Sequence, residues 1–234
     1  MADAALNRRA ALAELSAEIV ACRRCPRLVE WRERVAREKV ARFRDETYWG
    51  RPVAGFGDPE ARILIVGLAP AAHGGNRTGR VFTGDASGDF LFAAMYEAGL
   101  ANQPTGRRPD DGLQLRGAYI AAAVRCAPPA NKPLPSERDN CAPFLQRELD
   151  LLADVRVIVP LGAYGWEAAL RAIAAASGVD PRPRPKFGHG ADARVGPYAV
   201  IGSYHPSQQN TFTRRLTQPM LVDVLGRARK LAST

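Results

Sequence analysis

Four cysteines in a chain of 234 residues are the side chains best able to build a metal centre. Cys22 and Cys25 form a Cys-Arg-Arg-Cys pair, while Cys126 and Cys141 lie far downstream and well apart. Four thiolates make an S4 site, and such a site takes either zinc or an iron–sulfur cluster. Structural zinc usually uses two tight pairs. The open spacing of the second pair favours a cluster that stitches the N-terminal segment onto the rest of the chain. The plainer alternatives are that Cys141 is a core residue sharing a face with Phe144, Leu145 and Leu149, and that Cys126 simply ends a strand. Three other segments carry groups able to do chemistry: residues 67–85, 125–132 and 204–210, holding Asp85, Asn131 and His205.

Each of those segments follows an apolar run, which is what positions it. Residues 63–66, 119–124, 155–161 and 199–203 read as short buried strands, and continuous apolar runs of that kind suit a parallel sheet. Between them fall helical patterns: residues 87–98 with Ser87 as cap, a helix opening at Ser136 with Asp139 in a capping-box arrangement, 163–176, and 217–231. Two more precede the sheet, residues 5–21 with Leu6, Leu12, Leu15 and Ile19 near helical spacing, and residues 28–40. Residues 41–60 and 180–197 read as loop. Alternating strands and helices imply an α/β fold with a parallel sheet covered on both faces. Ligands in such sheets bind beyond the carboxyl ends of the strands, where the three segments converge.

Lys and Arg outnumber Asp and Glu by 33 to 24, a net charge of +9. That balance favours a polyanionic partner such as nucleic acid, although a general Ala- and Arg-rich bias is the bland explanation. No apolar run reaches the roughly 18 residues of a membrane span, and no signal peptide is read. The expectation is a cytoplasmic, nucleoid-associated protein of a bacterial-type cell, with no membrane partner. One domain is expected over residues 1–234, residues 1–60 being an N-terminal helical segment with two of the cysteines.

The motifs Gly67-Leu68-Ala69-Pro70-Ala71, residues 78–88 (TGRVFTGDASG) and His205-Pro206-Ser207-Gln208-Gln209-Asn210 stand in one order with the four cysteines. Together they resemble the uracil-DNA glycosylase superfamily, and within its iron–sulfur branches the family 5 (type B) enzymes. The resemblance runs from Cys22 to about Leu216. It implies a three-layer α/β/α fold with a central four-stranded, mostly parallel sheet and N-terminal helices tied by a structural [4Fe–4S] cluster. It also implies a monomer that removes uracil, and other deaminated bases such as hypoxanthine, from double-stranded DNA.

Breaking the glycosidic bond leaves an oxocarbenium-like sugar and a base anion. His205 can donate to the departing base, where negative charge grows. Related families place Asp, Glu or Asn just after the first Gly of the first motif; here that position is Leu68. Water positioning then falls to Asp85, with Asn131, carried over from the family, as a second polar group. A helix-end acid and a turn asparagine are their structural alternatives. Phe82 is the expected stacking platform, and Gly67, Leu68, Ala69 and Asn210 the other substrate contacts. Family 4 relatives hold an Asn on the strand before the third cysteine; this chain has Ala121-Ala122-Ala123-Val124, which predicts relaxed base specificity. Arg77 and Arg80 near the first loop, and Arg214 and Arg215 beyond the His205 motif, are the expected phosphate contacts. An iron–sulfur redox enzyme would need a nucleotide or flavin motif that the chain lacks. A non-catalytic DNA-binding iron–sulfur or zinc protein explains the charge and cysteines, but not why Asp85, Asn131 and His205 all follow strand ends.

Overall fold

A computed structural model describes the backbone of residues 2–233 and the side chains of residues 7–233, so Leu6 lies outside the described side chains. In chain order the elements are α1 (Ala2–Ala21), α2 (Pro26–Glu38), β1 (Phe56–Gly57), β2 (Ile63–Gly67), α3 (Gly75–Thr78), α4 (Ala86–Glu97), β3 (Ala118–Ala122), α5 (Pro135–Leu151), β4 (Val157–Pro160), α6 (Gly162–Ser177), β5 (Asp192–Val195), β6 (Tyr198–Ile201), α7 (Gln208–Phe212) and α8 (Gln218–Ser233). The sheet order is β1-β3-β2-β4-β6-β5.

The four expected strands form the parallel centre of this sheet, β3-β2-β4-β6. Every residue of β2, β3 and β4 is buried, as strands covered on both faces must be. The sheet has six strands rather than four, because both edges add an antiparallel strand. β1 is only two residues long, and β5 reads Asp-Ala-Arg-Val with its charged residues largely exposed. Neither leaves an apolar signature, and a charged edge strand blunts further pairing. On one face α4 and α8 bring Leu91, Phe92, Met95, Leu221 and Leu225 against Ile63, Ile65 and Val159. On the other, α5 and α6 cover Leu64, Val66 and Ile158 with Leu145, Leu149, Trp166 and Ile173. α1 lies outside α5.

Helix starts differ from the sequence reading in two places. α4 is capped by Asp85, whose Oδ1 accepts the Gly88 N–H at 2.9 Å, and Ser87 lies inside the helix. α5 starts at Pro135, and Glu137 rather than Asp139 reaches back to accept the Leu134 N–H at 2.7 Å. Pro at the first helical position costs nothing, since its missing donor would be unpaired there. No helix among the described residues is long and apolar enough to cross a membrane.

One charged pair fastens the end of β3 to α5. Arg125 and Glu148 are 1% exposed each, and the guanidinium grips the carboxylate with both Nη atoms, one at 3.0 Å. Removing one partner leaves an uncompensated buried charge, so Glu148→Ala is expected to cost about 3–5 kcal/mol of stability, read as a lower urea midpoint.

Candidate active site

Past the carboxyl ends of β2, β3 and β6 the chain opens a cavity of about 580 Å³. Its wall is built from residues 68–71, Phe82, residues 85–87, Asn131, His205 and residues 207–209. The three segments expected to converge therefore do. β2 delivers Leu68 and Ala69, and its pairing with β3 continues through Ala123 N–H to Gly67 O and Val124 N–H to Leu68 O, both at 2.9 Å. No side chain of residues 68–71 can hold a proton, so this wall is apolar.

Asp85 sits at the N-terminus of α4 and lines the cavity. One carboxylate oxygen is spent on the cap. The other packs against the backbone of Gly74, where a Cβ would lie 1.9 Å from Oδ2. Burial raises its pKa above the usual 3.8, against the lowering pull of the Gly88 and Ser87 backbone donors. Asp85 is thus both the helix-end acid and a carboxylate at the cavity. The sequence reading missed Gly74, although its Gly-Gly pair was a visible signal; Gly88 closes the second motif, and its role is room, since a Cβ there would lie 1.7 Å from the Phe82 carbonyl oxygen.

His205 stands across from this group on the loop after β6. Burial pushes its pKa down to about 4, so the imidazole is neutral near pH 7. The Phe82 ring lies beside it, with centroids 5.8 Å apart and planes 32° apart. Phe82 has φ +51°, a conformation that a bulky residue rarely adopts, and such strain gathers at functional sites. Asn131 ends a short turn with φ +56°; its backbone N–H donates to the Pro128 carbonyl, while its side-chain amide, at the cavity, makes no hydrogen bond to the rest of the described chain.

Several expected contacts are corrected. Gly67 does not line the cavity; a Cβ there would come within 2.7 Å of the Phe82 ring, so it gives that ring room. Asn210 does not line it either, because its Nδ2 donates to the His205 carbonyl at 2.9 Å and ties α7 to the histidine loop. Arg77 and Arg80 are 6% and 5% exposed and already engaged, which removes them as phosphate contacts. Arg77 pairs with Glu46 and donates to the Gly84 and His73 carbonyls. Arg80 pairs with Asp111 at 2.8 Å and donates to Thr83 Oγ1. Both brace the loop from inside. Arg214 and Arg215 are exposed beyond α7, with Arg215 over the Tyr204 ring at 4.7 Å. Ser207, Gln208 and Gln209 of the third motif also line the cavity.

The cysteines gather past the carboxyl end of β3, in a cluster against which Ala69 of the cavity wall also packs. Cys25, Cys126 and Cys141 are buried in one cluster with Leu28 and Val124, and Cys22 sits at its margin against Leu15, Ile19 and Phe144. None is in a disulfide. Burial pushes the Cys126 thiol up to about 12. Among the described residues no three His, Cys, Asp or Glu side chains converge as the ligands of a single metal ion do.

A family model described as the uracil DNA glycosylase superfamily matches residues 54–228. A type-5 uracil-DNA glycosylase from Mycobacterium tuberculosis is 54% identical over 223 residues, covering 94% of this chain and 82% of the relative. One from Thermus thermophilus is 54% identical over 92% of this chain and 95% of its own length. One from Pyrobaculum aerophilum is 46% identical over 90% of this chain and 88% of its own length. The chain belongs to the uracil-DNA glycosylase superfamily, and within it to the type-5 group.

Proposed function

We propose that this chain is a monofunctional uracil-DNA glycosylase of base-excision repair. It takes uracil out of the duplex stack, hydrolyses the bond between base and deoxyribose, and leaves an abasic site. The observation that carries the reading is the meeting of Asp85, Asn131, His205 and Phe82 on one cavity at the strand ends, in a chain of this family. Release of free uracil from a uracil-containing duplex, followed by chromatography, tests it.

The residues divide the work. Phe82 offers a ring face to the extruded base and recovers part of the cost of unstacking it. The neutral His205 imidazole donates an N–H toward the base carbonyl on which negative charge develops. Asp85 accepts a hydrogen bond from the attacking water and turns it toward the sugar, aided by the Asn131 amide. The apolar wall of residues 68–71 keeps other water away and reads no particular base edge. Hypoxanthine and other deaminated bases therefore enter as well. Phe212, 78% exposed at the end of α7, is placed to occupy the gap that the base leaves.

The enzyme acts as a monomer on DNA, and Arg214 and Arg215 hold phosphates beside the flipped nucleotide. Arg215→Ala should weaken binding to damaged and undamaged duplexes alike. Affinity of the parent protein should fall steeply between about 50 and 200 mM salt as counterions are released. Salt-independent affinity in a fluorescence anisotropy titration would remove this part of the account.

Cys22, Cys25, Cys126 and Cys141 hold a [4Fe–4S] cluster. The donor chemistry supports this: four soft thiols, three of them buried together and undisulfided, with a guanidinium aimed at one sulfur. A buried thiolate needs cationic compensation, which iron supplies, and the cluster fastens α1 and α2 to the sheet. Anaerobically purified protein is expected to contain about four irons per chain and a broad absorbance shoulder near about 400 nm; stoichiometric zinc without iron would refute this. The whole chain forms one domain on this account, its N-terminal 60 residues joined through the cluster.

A further inference from the structure

Arg32 lies on the inner face of α2, one turn beyond Leu28, and is 1% exposed. Its Nη1 donates to Cys126 Sγ at 2.9 Å. Both Nη atoms also donate to the Cys22 carbonyl at 3.3 Å, so one side chain touches two of the four cysteines. Its Nε is buried without a partner. The one carboxylate within ion-pair range among the described residues is Glu33, 3.9 Å away, partly exposed and already forked by Arg23. Asn76 holds the Arg32 backbone in place, donating from Nδ2 to its carbonyl at 3.2 Å.

A buried charge is tolerated when it is paired. The neighbouring buried arginine, Arg125, has its carboxylate in Glu148. Arg32 faces sulfur instead. We propose that Arg32 is the built-in counter-ion of the iron–sulfur cluster, donating to the Cys126 ligand sulfur and compensating the negative charge of the thiolate set. The proposal rests on the cluster reading given above.

Hydrogen bonds to ligand sulfurs and nearby charge set the potential of such a group. Adding an electron makes the site more negative, and an adjacent cation favours that state. Arg32→Met, similar in length but without charge or donors, should move the equilibrium toward the oxidised form. Arg32→Lys keeps the charge but not the fork, since one ammonium cannot serve the sulfur and the carbonyl in the same geometry.

The wild-type protein, prepared anaerobically, is assayed for iron first; its absence overturns the cluster reading itself before any variant is compared. Iron-replete proteins are then titrated at a mediated electrode, which supplies the electron. Arg32→Met should shift the reduced-to-oxidised ratio at a given potential about tenfold toward oxidised, or about 59 mV for a one-electron couple. Arg32→Lys should recover most of that shift. Resonance Raman should show a stiffer iron–thiolate stretch in both variants, because the Cys126 sulfur no longer shares electron density with the fork. Arg34→Met, on the same helix and with the same change in net charge, should leave both readouts unchanged. A titration curve and Raman spectrum for Arg32→Met that superimpose on wild type would overturn the proposal, as would an equal shift in Arg34→Met. If Arg32→Met does not accumulate as folded protein, Arg32→Lys decides, and wild-type values for both readouts would overturn the proposal.

Discussion

Asp85→Ala should lower the single-turnover rate of uracil excision from a G:U duplex on the order of 10²–10⁴-fold, the range of a positioned acid–base group. Binding to abasic-site DNA should remain nearly intact. Because Asp85 also caps α4, alanine removes a cap worth about 1 kcal/mol together with the charge. Asp85→Asn separates the two roles, since asparagine caps equally well but cannot take a proton. Its rate should fall almost as far as that of alanine. The wild-type rate should decline as pH drops through the raised Asp85 pKa, starting above the usual 3.8, and the Asn variant should lack that limb. The sign for stability is opposite to that of a salt-bridged acid. A carboxylate whose pKa is raised by folding costs stability when ionised, and the cost is relieved as pH falls through the raised value. Asp85→Asn should therefore unfold at no lower urea than wild type. Full activity in Asp85→Asn would reduce the carboxylate to a helix cap.

His205→Ala should cost about 10²–10³-fold in the same assay, as loss of one donor to a developing anion does. The penalty should grow with the basicity of the leaving base, so hypoxanthine and uracil should be affected unequally. Burial holds the imidazole neutral down to about 4. An unfolded histidine protonates near 6.5. This group's stabilising contribution is therefore complete above about 6.5 and is lost as pH falls from there through about 4. The His205→Ala variant should show a shallower acid-side decline in its urea midpoint. An excision penalty that is the same for every base would argue that His205 shapes the cavity rather than stabilising the leaving group.

Much of this site was legible in the sequence for a physical reason. Strands buried on both faces are near-continuous apolar runs, so β2, β3 and β4 announce themselves; β6, buried over its second half, still reads as an apolar run, and the residues after these strands must share the same end of the sheet. Edge strands obey no such pattern, and β1 and β5 escaped notice. Charge type alone does not separate a phosphate contact from an internal brace. Arg77 and Arg80 looked like Arg214 and Arg215 until burial and partners distinguished them. Close backbone approach is also silent in one dimension. That Gly67 makes room for Phe82, and Gly74 for the Asp85 carboxylate, depends on packing between segments distant in sequence. The Asn210 side chain followed the same rule, spending its amide on the His205 carbonyl.

Hydrolysis of the base without strand cleavage is tested by a strand-break assay on a labelled duplex carrying one G:U pair, read with and without hot alkali. A monofunctional glycosylase leaves an intact strand after enzyme alone and a single break at the uracil position after alkali, with free uracil released in equal amount. No break under either condition, or a break before alkali, would contradict a monofunctional glycosylase.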